Sequence, residues 1–167
     1  MVRARSLGIL ILGLGAAVWA ASPLDGNYTL DKSRSADVDK AVEATVEQLN
    51  FMIRPVARSR LAKPNTPSPR VCIAVGDRAQ IELGARIVSA PLDGQAVSWS
   101  RLDGEVLQVS IRQSGERLVE TFQGADGSRR NTFTLLDGGK ALAMDVQLES
   151  PKLPEPLRYR LVYSRTP

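Results

Sequence analysis

The sequence predicts a mainly β protein: an antiparallel up-and-down barrel of eight to ten strands with one long helix inserted after the first strand. Turn dipeptides carry the first part of this. Asp93-Gly94, Asp103-Gly104, Ser114-Gly115, Asp126-Gly127 and Asp137-Gly138 recur every ten to twelve residues, after an earlier Gly76-Asp77. Such pairs supply the positive φ that tight hairpins need. The segments between them are rich in Val, Leu, Ile, Phe and Thr, and several alternate apolar with polar residues, the period of a half-buried strand. Upstream of all of them lies a single stretch with the period of a helix.

The first strand is expected at Gly26-Asn27-Tyr28-Thr29-Leu30-Asp31, with Tyr28 and Leu30 on one face. The helix follows, spanning about residues 36–62. Ser33 and Ser35 are its candidate N-caps, and Asp37 and Asp39 suit the positive end of the helix dipole. Val38, Val42, Thr45, Val46, Leu49, Met52, Ile53 and Val56 fall on one face of a continuous helix. Pro55 interrupts the pattern, either kinking the helix near residues 51–55 or restarting it with Pro55 in a first turn. The run Pro64-Asn65-Thr66-Pro67-Ser68-Pro69 is a stiff connector back to the sheet.

Strands are then expected near 70–75, 79–89 with a break at Gly84, 96–102, 105–112, 117–123, 129–136, 141–149 and 157–164. Leu142, Met144, Val146 and Leu148 share one face, as do Leu157, Tyr159, Leu161 and Tyr163. Symmetric pairing about the Pro151–Pro156 turn sets Glu149 opposite Arg158 and Gln147 opposite Arg160. So many twisted strands with one apolar face close on themselves, which removes both edges. A sandwich is the runner-up, but its crossovers need longer connections than these.

Arg3 and Arg5, the apolar run Leu7–Val18 and the small residues around Ala20 read as a signal peptide over residues 1–20. The apolar run is too short to span a bilayer, so no stable membrane span is expected. The mature single domain, 21–167, is then exported, most simply to a periplasm. The sole cysteine is Cys72, not at the cleavage point, so the product is not a lipoprotein. Loss of the leader lowers the formal charge from +4 to +2, which argues against nucleic acid as a partner. With one cysteine no internal disulfide forms, and Cys72 reads as a small buried hydrophobe.

The chain has no histidine. That removes Ser-His-Asp and Cys-His nucleophile systems and His-containing zinc sites. Asp37/Asp39 and Asp25/Asp31 are the carboxylate pairs that remain for acid–base work, but glycosidase chemistry needs carboxyls on facing elements across a cleft, and Asp37 and Asp39 point apart on a helix. No catalytic residue, metal site or cofactor is therefore expected, and the protein is read as noncatalytic.

The run Gly26-x-Tyr28-x-Leu30-x-x-Ser33, followed by a helix and hairpin-linked strands, resembles the start of the calycins, the lipocalin and fatty-acid-binding-protein superfamily, with Tyr28 where a tryptophan is usual. The segments Asn50-Phe51-x-x-Arg54-Pro55-x-x-Arg58-x-Arg60-Leu61 and Tyr159-Arg160-Leu161-x-Tyr163 resemble those of small secreted bacterial lipocalin-like domains of unassigned function. The resemblance implies a barrel whose lumen takes a small apolar or amphipathic, lipid-like ligand. The Arg-x-Tyr pair with which intracellular fatty-acid binders hold a carboxylate has no counterpart in the last strand.

Two sets of site residues follow. Tyr28, Trp99, Phe122, Phe133, Met144, Tyr159 and Tyr163 are candidates for the lumen or its rim. Phe51, Arg54, Arg58 and Arg60 form a candidate patch for an anion or a partner, since paired guanidinium groups bind carboxylates and phosphates. The alternative to a ligand carrier is a barrel plugged by its helix, acting as a structural or protein-interaction module of the cell envelope. A cavity of roughly 300 Å³ or more between helix and sheet separates the two.

Overall fold

Ten antiparallel strands form one sheet in the computed structural model, which describes residues 22–101 and 103–166. The expected leader, residues 1–20, lies outside the described residues. In chain order the elements are β1 (Gly26–Leu30), α1 (Val38–Glu47), α2 (Arg54–Asn65), β2 (Arg70–Val75), β3 (Arg78–Leu83), β4 (Arg86–Pro91), β5 (Val97–Ser100), β6 (Val106–Ser114), β7 (Arg117–Gly124), β8 (Gly127–Leu136), β9 (Ala141–Glu149) and β10 (Leu157–Thr166). Sequential strands pair as hairpins, except that β1 pairs with both β2 and β10 and β4 does not pair with β5. The sheet thus curls into a nearly closed barrel, which rules out the sandwich.

Hairpin turns sit at Gly76-Asp77, Asp103-Gly104, Ser114-Gly115, Asp126-Gly127 and Asp137-Gly138 as predicted, whereas Asp93-Gly94 joins two strands that do not pair, and the single strand expected over 79–89 is itself a hairpin, β3 and β4, because the chain reverses at Gly84. Two of these glycines are required by geometry. At Gly127 φ is 147°, and a Cβ there would lie 2.1 Å from the Glu149 carbonyl oxygen on β9. At Asp137-Gly138 both residues have positive φ, 53° and 63°, in the tight turn before β9.

The seam between β4 and β5 has no ladder. It is bridged by the Trp99 indole, which donates to the Ile87 carbonyl at 2.8 Å. Beyond β4 the chain reaches β6 directly: Gln113 N–H donates to Leu92 O at 3.1 Å and Gly94 N–H to Ile111 O at 3.0 Å.

The end of the barrel near β1 is sealed. Arg165 stacks on the Tyr28 ring, 4.9 Å from its centre, and donates to Tyr28 Oη and to the carbonyls of Pro23, Asp25 and Gly139. Tyr28 Oη in turn donates to Leu24 O at 2.8 Å. Leu24, Tyr28, Ile73, Ile81, Leu118, Phe133 and Tyr163 are buried almost completely in this core. Each large apolar side chain so buried contributes about 1.5–3 kcal/mol relative to exposure.

The predicted continuous helix is instead a helical hairpin. Residues 48–53 form the turn, because Pro55 restarts the chain in the first turn of α2. The apolar stripe is divided accordingly. Val38, Val42, Thr45 and Val46 are buried, whereas Met52, Ile53 and Val56 are exposed at the hairpin tip. Neither Ser33 nor Ser35 caps α1. Asp37 does, accepting from Lys40 N–H at 3.1 Å, because residues 31–36 run along β10 and occupy Ser35 there, its hydroxyl accepting from Val162 N–H at 2.9 Å.

The β9–β10 register also differs from symmetric pairing. Gln147 lies opposite Arg158 and Asp145 opposite Arg160, a shift of two residues. Leu148 and Leu157 are the last pair of this ladder, leaving residues 150–156 to the loop, with Glu149 paired only to Ser128 on β8. A shift of two preserves which side chains face inward. It gives Arg160 a bidentate partner in Asp145, at 2.6 and 2.9 Å, on the outer face.

Candidate functional site

Between α2 and the open end of the barrel lies a cavity of about 1390 Å³. Leu61, Phe122, Met144, Leu148 and Leu161 supply apolar wall, and Met52, Ile53 and Val56 reach its rim from the helical hairpin. The volume is several times that needed for a small ligand. α2 roofs the barrel and does not fill it, apart from its last residue, Asn65, which is almost wholly buried.

Among its polar lining residues are Arg86 on β4, Arg129 on β8 and Tyr159 on β10. Arg129 is the hub. Its Nε donates to Asn131 Oδ1 at 2.9 Å, Nη1 to Pro64 O at 3.1 Å and to Asn65 Oδ1 at 2.9 Å, and Nη2 to Tyr159 Oη at 3.2 Å. Every partner is neutral. Among the described residues no carboxylate lies within 4 Å of it. Its guanidinium therefore has no ion-pair partner among the described residues, and the nearby Glu120 carboxylate acts on it only at longer range.

Arg86 has a different environment. Its guanidinium lies over the Phe122 ring, 4.8 Å from the centre, with Nη2 3.7 Å from Glu120 Oε2. Trp99 packs edge-on against the same ring at 5.7 Å. Glu120 is fully buried and accepts from Asn131 Nδ2 at 2.7 Å. Burial raises the Glu120 carboxyl above its ordinary range, opposed by Arg86 first and then by Asn131 and Arg129. Burial likewise raises the phenols of Tyr159, against Arg129, and of Tyr163.

Of the lumen candidates, Trp99, Phe122, Met144 and Tyr159 lie on the cavity wall. Tyr28, Phe133 and Tyr163 do not reach it; they are packed in the core beneath, Tyr28 at the sealed end. The second set is dispersed. Arg54 donates to the carbonyls of Glu47 and Leu49 at the end of α1, and Arg58 forms a bidentate pair with Glu43. Both bind the two helices together. Phe51 is 73% exposed in the hairpin turn, and Arg60 lines the cavity.

Sequence reasoning missed Asn65, Arg86, Glu120, Arg129 and Asn131. The signal was present as parity. Within Leu118-x-Glu120-x-Phe122, Arg129-x-Asn131-x-Phe133 and Arg86-x-Val88-x-Ala90, a polar side chain takes a place on the same face as buried apolar ones.

Among the described residues no helix is long and apolar enough to cross a membrane, and no group of three or more Cys, Asp or Glu side chains is placed to hold a metal.

No protein-family model matches the chain, and no curated protein matches its sequence. Solved structures do share its fold. A secretary abundant heat soluble protein from Ramazzottius varieornatus superposes with a TM-score of 0.61 at 10% identity, covering 89% of this chain and 98% of that one. Lipid binding protein 8 of Caenorhabditis elegans gives 0.55 at 12% identity, covering 86% and 96%. Fatty-acid-binding protein 1 of Echinococcus granulosus gives 0.55 at 14%, covering 87% and 98%. What these proteins share with this chain is the fold, a nearly closed antiparallel barrel with two helices after its first strand.

Proposed function

We propose that this protein is an exported, noncatalytic carrier of a small amphipathic molecule, whose apolar chain occupies the cavity and whose negatively charged head meets Arg129 and Tyr159. The observation that carries the reading is Arg129: a cation on the wall of a 1390 Å³ cavity, bonded among the described residues only to neutral groups. Its second Nη2 hydrogen is unused, and guanidinium with phenol makes a charge-assisted donor pair for a carboxylate, sulfate or phosphate ester. The lipid-binding names of the C. elegans and E. granulosus barrels support the class of ligand. Export rests on the leader-like residues 1–20.

The plugged alternative loses its premise with a cavity of this size. An envelope protein as partner keeps one observation in its favour, the exposed Phe51 and Met52 at the tip of the helical hairpin. Native mass spectrometry of the mature protein from its own compartment tests the carrier reading. A stoichiometric amphiphile that leaves on denaturation is expected. Repeated recovery of the bare chain, with no binding of added dodecyl sulfate, overturns it.

A further inference from the structure

Three ionic side chains sit together inside the barrel: Arg86, Arg129 and Glu120. They are joined through Asn131, whose Oδ1 accepts from Arg129 and whose Nδ2 donates to Glu120. Glu120 lies between Leu118 and Phe122 on the inner face of β7, with no exposed surface. Nothing in a plain barrel core calls for a carboxylate there. The group facing it from β4 is Arg86, and those from β8 are Asn131 and Arg129. Tyr159 and Tyr163 on β10 face Arg86. The arrangement is incomplete as it stands: Glu120 Oε1, Arg86 Nε and Tyr163 Oη are buried without a hydrogen-bond partner.

We infer that Glu120 sets the charge of the ligand: by committing Arg86 to itself, it leaves Arg129 as the one cation of this buried cluster without an ion-pair partner, the other charged residues lining the cavity, Arg60 and Lys63 among them, being exposed at its mouth, and the cluster selects a head group carrying a single negative charge. This rests on the amphipathic-carrier reading and goes beyond it. Two guanidinium groups against one carboxylate leave one positive charge in a medium of low dielectric. A monoanionic head brings the interior to neutrality. A dianionic head overshoots it, and the surplus charge is held away from water beside the Glu120 carboxylate, where like charges repel strongly. A neutral head leaves Arg129 uncompensated. The site therefore discriminates by charge number as well as by sign, and Glu120 is the residue that fixes the number. Glu120 acts through Arg86 and does not itself touch the ligand.

The test compares dodecyl sulfate, a monoanion throughout, with dodecyl phosphate, a dianion at about pH 8, by calorimetric titration of the full mature chain below micelle formation. Wild type is expected to bind the sulfate at least about tenfold more tightly than the phosphate. Glu120→Gln adds a positive charge to the lumen without changing shape, and is expected to narrow or reverse that preference. A second measurement needs no variant. At about pH 5 the phosphate is itself a monoanion, and wild type should then bind the two probes within about threefold of each other. Equal or better phosphate binding by wild type at pH 8, or an unchanged ratio in a folded Glu120→Gln protein, overturns the inference while leaving the carrier reading in place. Binding of neither probe overturns both.

Discussion

Asn65 at the end of α2 and Tyr159 on β10 stand 94 residues apart in sequence and meet inside the barrel, the phenol donating to the amide oxygen at 2.9 Å. The same oxygen accepts from Arg129, and Asn65 Nδ2 donates to the Leu61 carbonyl at 2.7 Å. One buried side chain thus fixes the roof to the wall. Asn65→Leu removes the acceptor and leaves a phenol and a guanidinium short of partners, at a cost of about 2 kcal/mol. Tyr159→Phe, which leaves Asn65 still bonded to Arg129, should cost about 1 kcal/mol. Urea denaturation at constant m-value measures both.

Arg129→Met keeps the length of the side chain and removes the charge. Affinity for dodecyl sulfate is expected to fall by at least about tenfold, while binding of neutral dodecanol is unchanged or tighter. Equal losses for both probes would mean that Arg129 shapes the cavity and does not contact the head.

Arg54 holds two main-chain carbonyls at the end of α1, so Arg54→Ala should destabilise the protein by about 1 kcal/mol. Arg58→Ala, which loses only a solvent-exposed pair with Glu43, should have a smaller effect. Thermal melts of the two single variants decide the order. The paired arginines that looked like a docking patch in sequence are the clasp of a helical hairpin.

Gly127→Ala places a methyl group against the main chain of β9 at a φ that L-residues rarely adopt, and should cost more than about 2 kcal/mol. Gly115→Ala is the control. It too has positive φ, but its Cβ enters open space, and about 1 kcal/mol is expected. Chemical denaturation of the pair separates steric conflict from backbone preference.

The Glu120 carboxyl titrates above its ordinary value near 4.5 in the folded state because it is buried. A folded-state pKa raised above the unfolded one means that the contribution to stability is fully present below the unfolded value and is lost as pH rises through the folded one. Wild type should therefore lose stability relative to Glu120→Gln as pH climbs above about 4.5, with the difference constant once the carboxyl is ionised. Parallel denaturation series from pH 4 to 8 read this directly.

Most of the strand order was legible because most turns announce themselves in two residues and most strands in their alternation; the exception is 79–89, read as one strand broken at Gly84, which is the hairpin of β3 and β4. Those signals are local. The division of the helix was half legible: Pro55 marked a break, but only packing decides between a kink and a restart. Of the polar lumen only Tyr159 was read, since Arg86, Glu120 and Arg129 come from β4, β7 and β8 and meet near it only when the sheet curls. The arginine beside Tyr159 was not legible for the same reason. Arg160 points outward to Asp145, while the arginine that meets the tyrosine arrives from β8.

Parting most neighbouring strands of this barrel means unzipping a ladder of main-chain bonds. Parting β4 from β5 means losing one indole–carbonyl bond and, at most, the short run joining Leu92 and Gly94 to β6. Thermal breathing is therefore concentrated along one slot, beside Arg86 and Trp99, with the remaining strands still zipped. Local openings of this kind occur in microseconds to milliseconds, well within the lifetime of the folded protein. Such an opening exposes the cavity through the side of the barrel, beside Arg86 and Trp99, with the helical roof in place.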